Sequence, residues 1–208
     1  MSRAASSALN LSPCRVGNLY TTMALAAYEC SGAETWPPMG DGTTADFIAM
    51  RGPLTAETIE QSERVQIKAA RYNYRDGQAV SLVATIRNPT GLLMQAKGLG
   101  RESLCYRRSE IDAFALVAPD GRVFRMTADD LIASGDAYPT SVLLRLVPTA
   151  NGQMKGVRLA APYEMAVPAS IRAHMPAVVA QAATDADPDS AARTATRREV
   201  GTRTRRAA

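Results

Sequence analysis

The stretch "RVQIKAARYNYRDGQAVSLVATIR", residues 64–87, decides the fold. Its first part alternates in character. Val65 and Ile67 fall on one face of an extended chain, Gln66 and Lys68 on the other. Asp76-Gly77 is a turn signal, and "AVSLVATIR" follows as a second β-rich run. The stretch reads as strand, tight turn, strand. One residue does not suit an ordinary buried strand. Lysine is scarce, with Lys68, Lys97 and Lys155 the whole supply, yet Lys68 stands inside this run two places after an amide.

Working outward, "GNLYTTMALAAYEC" carries Leu19, Met23, Ala26 and Ala27 at helical spacing, with Asn18 placed as an N-cap. A short extended piece is expected at Glu34 to Trp36. "TADFIAM" alternates around Phe47 and Ile48 and predicts a strand ending near Arg51. Gly52 and Pro53 break it, so "RGPLTAETIEQSE" predicts a hairpin loop with room for one helical turn. "NPTGLLMQAKGLGRES" predicts a loop that contains Gly91, Gly98 and Gly100. "SEIDAFALVAP" and "RVFRM" predict a hairpin joined by a tight Asp120-Gly121 turn. "TADDLIASG" predicts a short helix capped by Thr127, with Asp130 at the capping-box position and Gly135 at its end. "SVLLRLVP" predicts a strand, and "APYEMAVPASIRAHM" one or two short helices.

The order is helix, three strands that look antiparallel, hairpin, helix, strand. That is a mixed α/β (α+β) domain, without the regular βαβ alternation of a doubly wound sheet. Neither GxGxxG nor GxxxxGK[ST] occurs.

Composition narrows the function. The 208 residues, 46% hydrophobic, suffice for one domain with tails. A flexible arm is expected over residues 1–16, the domain over 17–175 and a disordered Arg-rich tail over 176–208. From Ala191 onward six arginines face Glu199 alone, a local charge of +5 within a chain total of +4, so the rest is near neutral. No apolar run approaches the ~20 residues of a membrane helix. No secretory h-region is seen at the N-terminus, so a cytoplasmic protein without a membrane partner is expected. Cys14, Cys30 and Cys105 are odd in number and widely spaced, which fits free thiols in a reducing compartment. His174 is the single histidine, which excludes Ser-His-Asp triads, HNH-type nucleases and most zinc sites.

Asp46 precedes Phe47 at the start of its strand. If that strand and the one containing Gln66 pair as a hairpin, Asp46 lies beside Gln66, with Lys68 one step along the same face. Asp46 offers a hard anionic oxygen suited to Mg²⁺, and the Gln66 side chain or the Ile67 backbone carbonyl adds a neutral one. Lys68 would place a positive charge beside a phosphate. On spacing alone, Asp, Gln and Lys on one face of a hairpin are also ordinary surface residues.

Five segments in order add to this. "GNLYTTMALAAYEC", "PPMGDGTTADFIAM", "RVQIKAARY", "YRRSEIDAFALVAPDGRVFRMTADDL" and "NGQMKGVRLAAPYEM" together resemble the group I intron-associated PD-(D/E)XK endonucleases, a branch of the restriction-endonuclease-like nucleases, over about residues 17–165. The resemblance implies a restriction-endonuclease-like core, a central mixed sheet flanked by helices. It implies Asp46 as the Mg²⁺ ligand (Mn²⁺ a substitute), Gln66 at the third motif position and Lys68 as the catalytic lysine. Tyr106 and Asp112 are supporting residues, Asp112 in a structural role. It further implies a bacterial or phage-encoded DNA endonuclease, homing- or restriction-like, acting on double-stranded DNA as a homo-oligomer. Thr21 stands where the resemblance implies a Glu in the first helix, and Glu29 is two turns further along, ~12 Å by helical rise. Residues 51–63 look like an insertion. One carboxylate is therefore expected in the site.

With a near-neutral body, contacts to DNA must be local. Candidates are Arg71, Arg75 and Arg87 near the central strands and Arg101, Arg107 and Arg108 in the segment before Glu110. Three rival expectations remain: a noncatalytic DNA-binding protein on a degenerate nuclease fold, a junction-resolving nuclease, or an unrelated β-rich binding domain with a basic tail.

Overall fold

The alternation around Gln66 becomes strand β3 (Glu63–Arg75). The structure, a computed structural model, describes residues 13–38, 44–53, 55–88, 105–132, 134–149 and 156–173. Before β3 come helix α1 (Pro13–Cys30), β1 (Glu34–Trp36), β2 (Phe47–Met50) and α2 (Ala56–Glu60). After it come β4 (Gln78–Thr85), β5 (Ala113–Val117), β6 (Val123–Thr127), α3 (Ala128–Leu131), β7 (Ser141–Arg145), a 3-10 turn (Ala161–Tyr163), β8 (Glu164–Met165) and α4 (Ala169–Arg172). The protein is a mixed α/β fold with a central mixed sheet flanked by helices.

β3 is long enough to serve three neighbours. Its first part pairs antiparallel with β2, Phe47 opposite Val65, and parallel with β5, Gln66 opposite Phe114 and Lys68 opposite Leu116. Its second part pairs antiparallel with β4, which in turn pairs with β7. β1 extends the sheet beyond β2, and β6 and β8 extend it beyond β5. The three strands that look antiparallel in sequence are so in part. The parallel β3–β5 pair arises because β4 and the connection to Asp112 intervene, the long crossover that parallel neighbours require.

Both faces of the centre are covered, so all five residues of β5 are buried. On one face Met23, Ala24, Ala27 and Tyr28 of α1 join Phe47, Val65, Ala115, Val117 and Val123 in one cluster. Alanines on helix and strand leave room for close approach. On the other face Phe114, Leu116, Phe124 and Met126 pack with Leu82, Ala84, Val142 and Leu144, as the β3–β4–β7 part folds over the rest. Phe114, Tyr106 and Tyr138 meet edge to face, with centroids 5.4 Å and 4.9 Å from Phe114.

Local chemistry sets the boundaries. α1 begins at Pro13, four residues before the expected start, because proline suits the first helical position. Asn18 is inside the helix rather than capping it, and its carbonyl accepts the Thr22 hydroxyl at 3.0 Å. Part of the arm expected over residues 1–16 is thus helical. α1 ends on Gly32 (φ 82°), which lets Gly32 N–H reach Glu29 O at 2.9 Å and Ala33 N–H reach Tyr28 O at 3.1 Å. Asp76 and Gly77 both have positive φ, 51° and 77°, as the tight β3–β4 turn requires. The N–H and hydroxyl of Thr127 donate to Asp130 Oδ2 at 2.8 and 2.7 Å, the expected cap of α3. Gly135 does not end that helix. Ile132 turns extended there and donates to Ala128 O at 2.8 Å. "APYEMAVPASIRAHM" gives two short helical turns separated by β8. The glycine loop 89–104, His174 and the tail 176–208 lie outside the described residues, and among the described residues no helix is long and apolar enough to cross a membrane.

Phe114 is fully buried between two aromatic rings. Phe114→Ala should destabilise the fold by about 3–5 kcal/mol in denaturant unfolding, through lost burial and the cavity left behind.

Candidate functional site

The site begins with an unfinished strand ladder. β2 starts at Phe47, and Asp46 stands one residue before it. The Asp46 N–H still donates to Val65 O at 2.8 Å. Its carboxylate then takes over as acceptor. Oδ2 receives the Ile67 N–H at 2.6 Å and the Gln66 side-chain Nε2. Gln66 is buried, and its Nε2 also reaches Ile67 O at 3.4 Å. The amide nitrogen therefore stands between a carboxylate oxygen and a backbone carbonyl oxygen.

Strand parity puts Lys68 on the same face. Its Nζ donates to the Tyr106 hydroxyl at 2.8 Å and to Arg87 O at 3.5 Å, and lies 4.9 Å from the Tyr106 ring centroid. Desolvation raises the Asp46 carboxyl above its ordinary range, while the Ile67 N–H and the Lys68 charge pull it back down. Desolvation lowers Lys68, and the Asp46 charge opposes it. Asp46, Gln66 and Lys68 converge as expected, the carboxylate and ammonium close enough to feel each other without a direct ion pair.

The row on this face of β3 starts with Arg64, which sequence reading missed. Asp112 Oδ2 accepts the Arg64 N–H and Nε at 2.8 Å each, and Oδ1 accepts Nη2 at 2.9 Å. Arg64 also donates to the carbonyls of Ser109 and Arg108. Asp112 thus fastens the start of β3 to the start of β5. Arg64 was open to discovery, since it shares the parity of Gln66 and Lys68. The Glu63–Arg125 pair, on the opposite face beneath α1, was also missed because its partners are distant in sequence.

α1 packs on the face of the sheet opposite this row, which explains why no helical carboxylate joins Asp46. Thr21 is exposed and bonds its own helix, donating to Gly17 O at 3.1 Å. Glu29 accepts the Thr35 hydroxyl at 3.0 Å. Among the described residues no three His, Cys, Asp or Glu side chains gather as metal ligands. Any hard cation here would rest on Asp46 with neutral oxygens.

The candidate arginines divide. Arg71 and Arg87 are exposed and, among the described residues, in no ion pair. Arg75 lies 3.8 Å from Asp76 at the exposed turn. Arg107 and Arg108 are half-exposed and engaged with Asp136 (3.6 Å) and Asp129 (2.5 Å), which offset part of their charge toward a phosphate. Arg101 lies outside the described residues.

No family model matches the chain, and no curated protein matches it. Among solved structures it is similar to a bacterial homing endonuclease, I-Ssp6803I, with 16% identity and a TM-score of 0.43 over 74% of this chain and 87% of that one.

Burial opposes ionisation of Asp112, but the hydrogen bonds and charge of Arg64 outweigh it and hold the carboxyl below its ordinary range. A depressed carboxyl contributes stability above its unfolded-state value, about 3.9, and loses it as pH falls through the folded value. Both partners are about a third exposed, so screening trims the effect. Asp112→Asn should cost about 1–2 kcal/mol at neutral pH. The gap from wild type should close as urea melts are repeated below about pH 4.

Proposed function

We propose that the chain is a DNA-binding nuclease, a Mg²⁺-dependent endonuclease that hydrolyses phosphodiester bonds. The observation that carries this is the Gln66 amide nitrogen held between Asp46 Oδ2 and Ile67 O. These oxygens already surround a partial positive charge. Rotating the amide would present its oxygen in place of the nitrogen, leaving an oxygen-only donor set of one carboxylate and two neutral groups. Such a set suits Mg²⁺, or Mn²⁺, better than a softer metal.

Asp46, the Gln66 side-chain oxygen and the Ile67 carbonyl would hold the ion. When bound, it would polarise a water and draw charge from a phosphoryl oxygen. The remaining roles belong to the chain. Lys68 faces the same space and supplies a fixed positive charge to the phosphate under attack. Arg64 and Asp112 keep β3 in register, so that Gln66 and Lys68 stay on one face. Arg71 and Arg87 offer exposed charge for the DNA backbone. Cutting both strands requires two such sites, which supports a homo-oligomer acting on double-stranded DNA.

The single carboxylate favours a second reading, a DNA-binding protein that does not cut. One experiment separates the two: supercoiled plasmid and branched DNA are incubated with the protein in Mg²⁺ or EDTA. Nicking or linearisation should require Mg²⁺ and fall by about 100-fold or more in Asp46→Ala and in Lys68→Ala. Preference for the branched substrate would mark a junction-resolving enzyme. Salt-sensitive binding without cutting, unchanged in both variants, would establish the second reading and sink the first.

Gln66→Glu restores a second charge beside Asp46, and metal affinity rises with ligand charge. Calorimetric titration with MgCl₂ should show binding about tenfold tighter or better than wild type, and none in Asp46→Ala.

A further inference from the structure

The partners of Lys68 are unusual for a lysine on a half-buried strand. Among the described residues it has no carboxylate in ion-pair contact. Its hydrogen bonds go to the Tyr106 hydroxyl and the Arg87 carbonyl, both neutral. A carboxylate would hold the ammonium as well but would cancel its charge.

Tyr106 is built as a fixed mount. It is buried, with its ring edge to face on Phe114, which itself stands opposite Gln66 in the sheet. Its backbone is held from both sides. Cys105 bridges to Arg87, Arg107 bridges to Ala137, and the Tyr138 N–H donates to Tyr106 O at 2.9 Å. The strand that carries Lys68 and the segment that carries Tyr106 are fastened together at the Arg64 end, where Arg64 bonds Asp112 and the Ser109 and Arg108 carbonyls. The Tyr106 hydroxyl therefore has little freedom to follow the lysine, and the lysine must come to it.

We propose that Tyr106 is a positioning residue: its hydroxyl, together with the Arg87 carbonyl, fixes the Lys68 ammonium through neutral oxygens and leaves the charge available to the substrate phosphate. This rests on the nuclease reading of Asp46, Gln66 and Lys68. A four-carbon side chain otherwise samples many rotamers, and holding it in one converts a diffuse charge into a placed one.

Tyr106→Phe removes the hydroxyl and keeps the ring and its packing, so the melting temperature should stay close to wild type. Plasmid cleavage should lose about 10- to 100-fold in kcat while KM for DNA moves by less than about threefold. A second readout does not depend on cleavage. The two ε-methylene protons of Lys68 should give separate NMR signals in wild type, as for a fixed side chain, and merge in Tyr106→Phe. Unchanged kcat in a cleaving protein overturns the proposal, and so do unchanged ε-methylene signals. If wild-type protein binds DNA without cutting it, the nuclease reading fails by itself. The NMR signals then decide alone whether Tyr106 fixes Lys68.

Discussion

The parallel register of β3 on β5, Val65 beside Ala113 through Ala69 beside Val117, joins strands that lie far apart in the chain. The other contacts follow from it. Once β5 lies beside β3, its side chains must go to two covered faces, and Ala115 and Val117 fall under α1 while Phe114 and Leu116 fall on the other side. The same register brings Asp112 to the backbone of Arg64 and Tyr106 to Lys68. A one-residue slip would send Gln66 and Lys68 beneath the helix and Val65 and Ile67 into the polar site. The Arg64–Asp112 clamp at the first paired residues opposes that slip.

The electrostatics of the site rest on partial neutralisation. Asp46 is surrounded by donors, one a backbone N–H and one an amide, with an ammonium further off. Lys68 is surrounded by acceptors that carry no net charge. Neither charge is cancelled by a close opposite partner, unlike the arginines engaged with Asp129, Asp136, Glu63 and Glu164 elsewhere. Burying a charge without a counter-ion costs stability. A chain selected for stability alone would pair Lys68 with an acid or replace it with an apolar residue. Lys68, half-buried with neutral partners only, is therefore a residue that folding alone does not require.

Much of the fold was legible because its signals are short-range. Alternation marked β2, β3 and β4. Asp76-Gly77 and Asp120-Gly121 marked turns, and Thr127 with Asp130 marked a cap. The misplaced features have local causes too. Pro13 carries no apolar periodicity, so the first turn of α1 passed as an arm, and Gly135 sits in a turn beyond a helix that had already ended. The parallel β3–β5 pair was not legible, because pairing between distant strands depends on the whole crossover. Asp46, Gln66 and Lys68 were legible as residue types on one face. The bond from Tyr106 to Lys68, the Arg64 clamp and the occupation of Arg107 and Arg108 by carboxylates were not.

The sequence by itself determined which residues alternate, where the chain turns, and that one amide and one lysine share a face of one strand, with a carboxylate at the start of the strand before it. Backbone sterics and side-chain period act over a few residues, so these are properties of the chain taken piece by piece. Only the tertiary structure decided that α1 covers the opposite face and brings no second carboxylate, that the Gln66 amide sits between Asp46 and Ile67, and that Lys68 is held by neutral oxygens. Those outcomes depend on which strands meet and in what register. Register is fixed by the burial of both faces at once, a condition that no single segment carries.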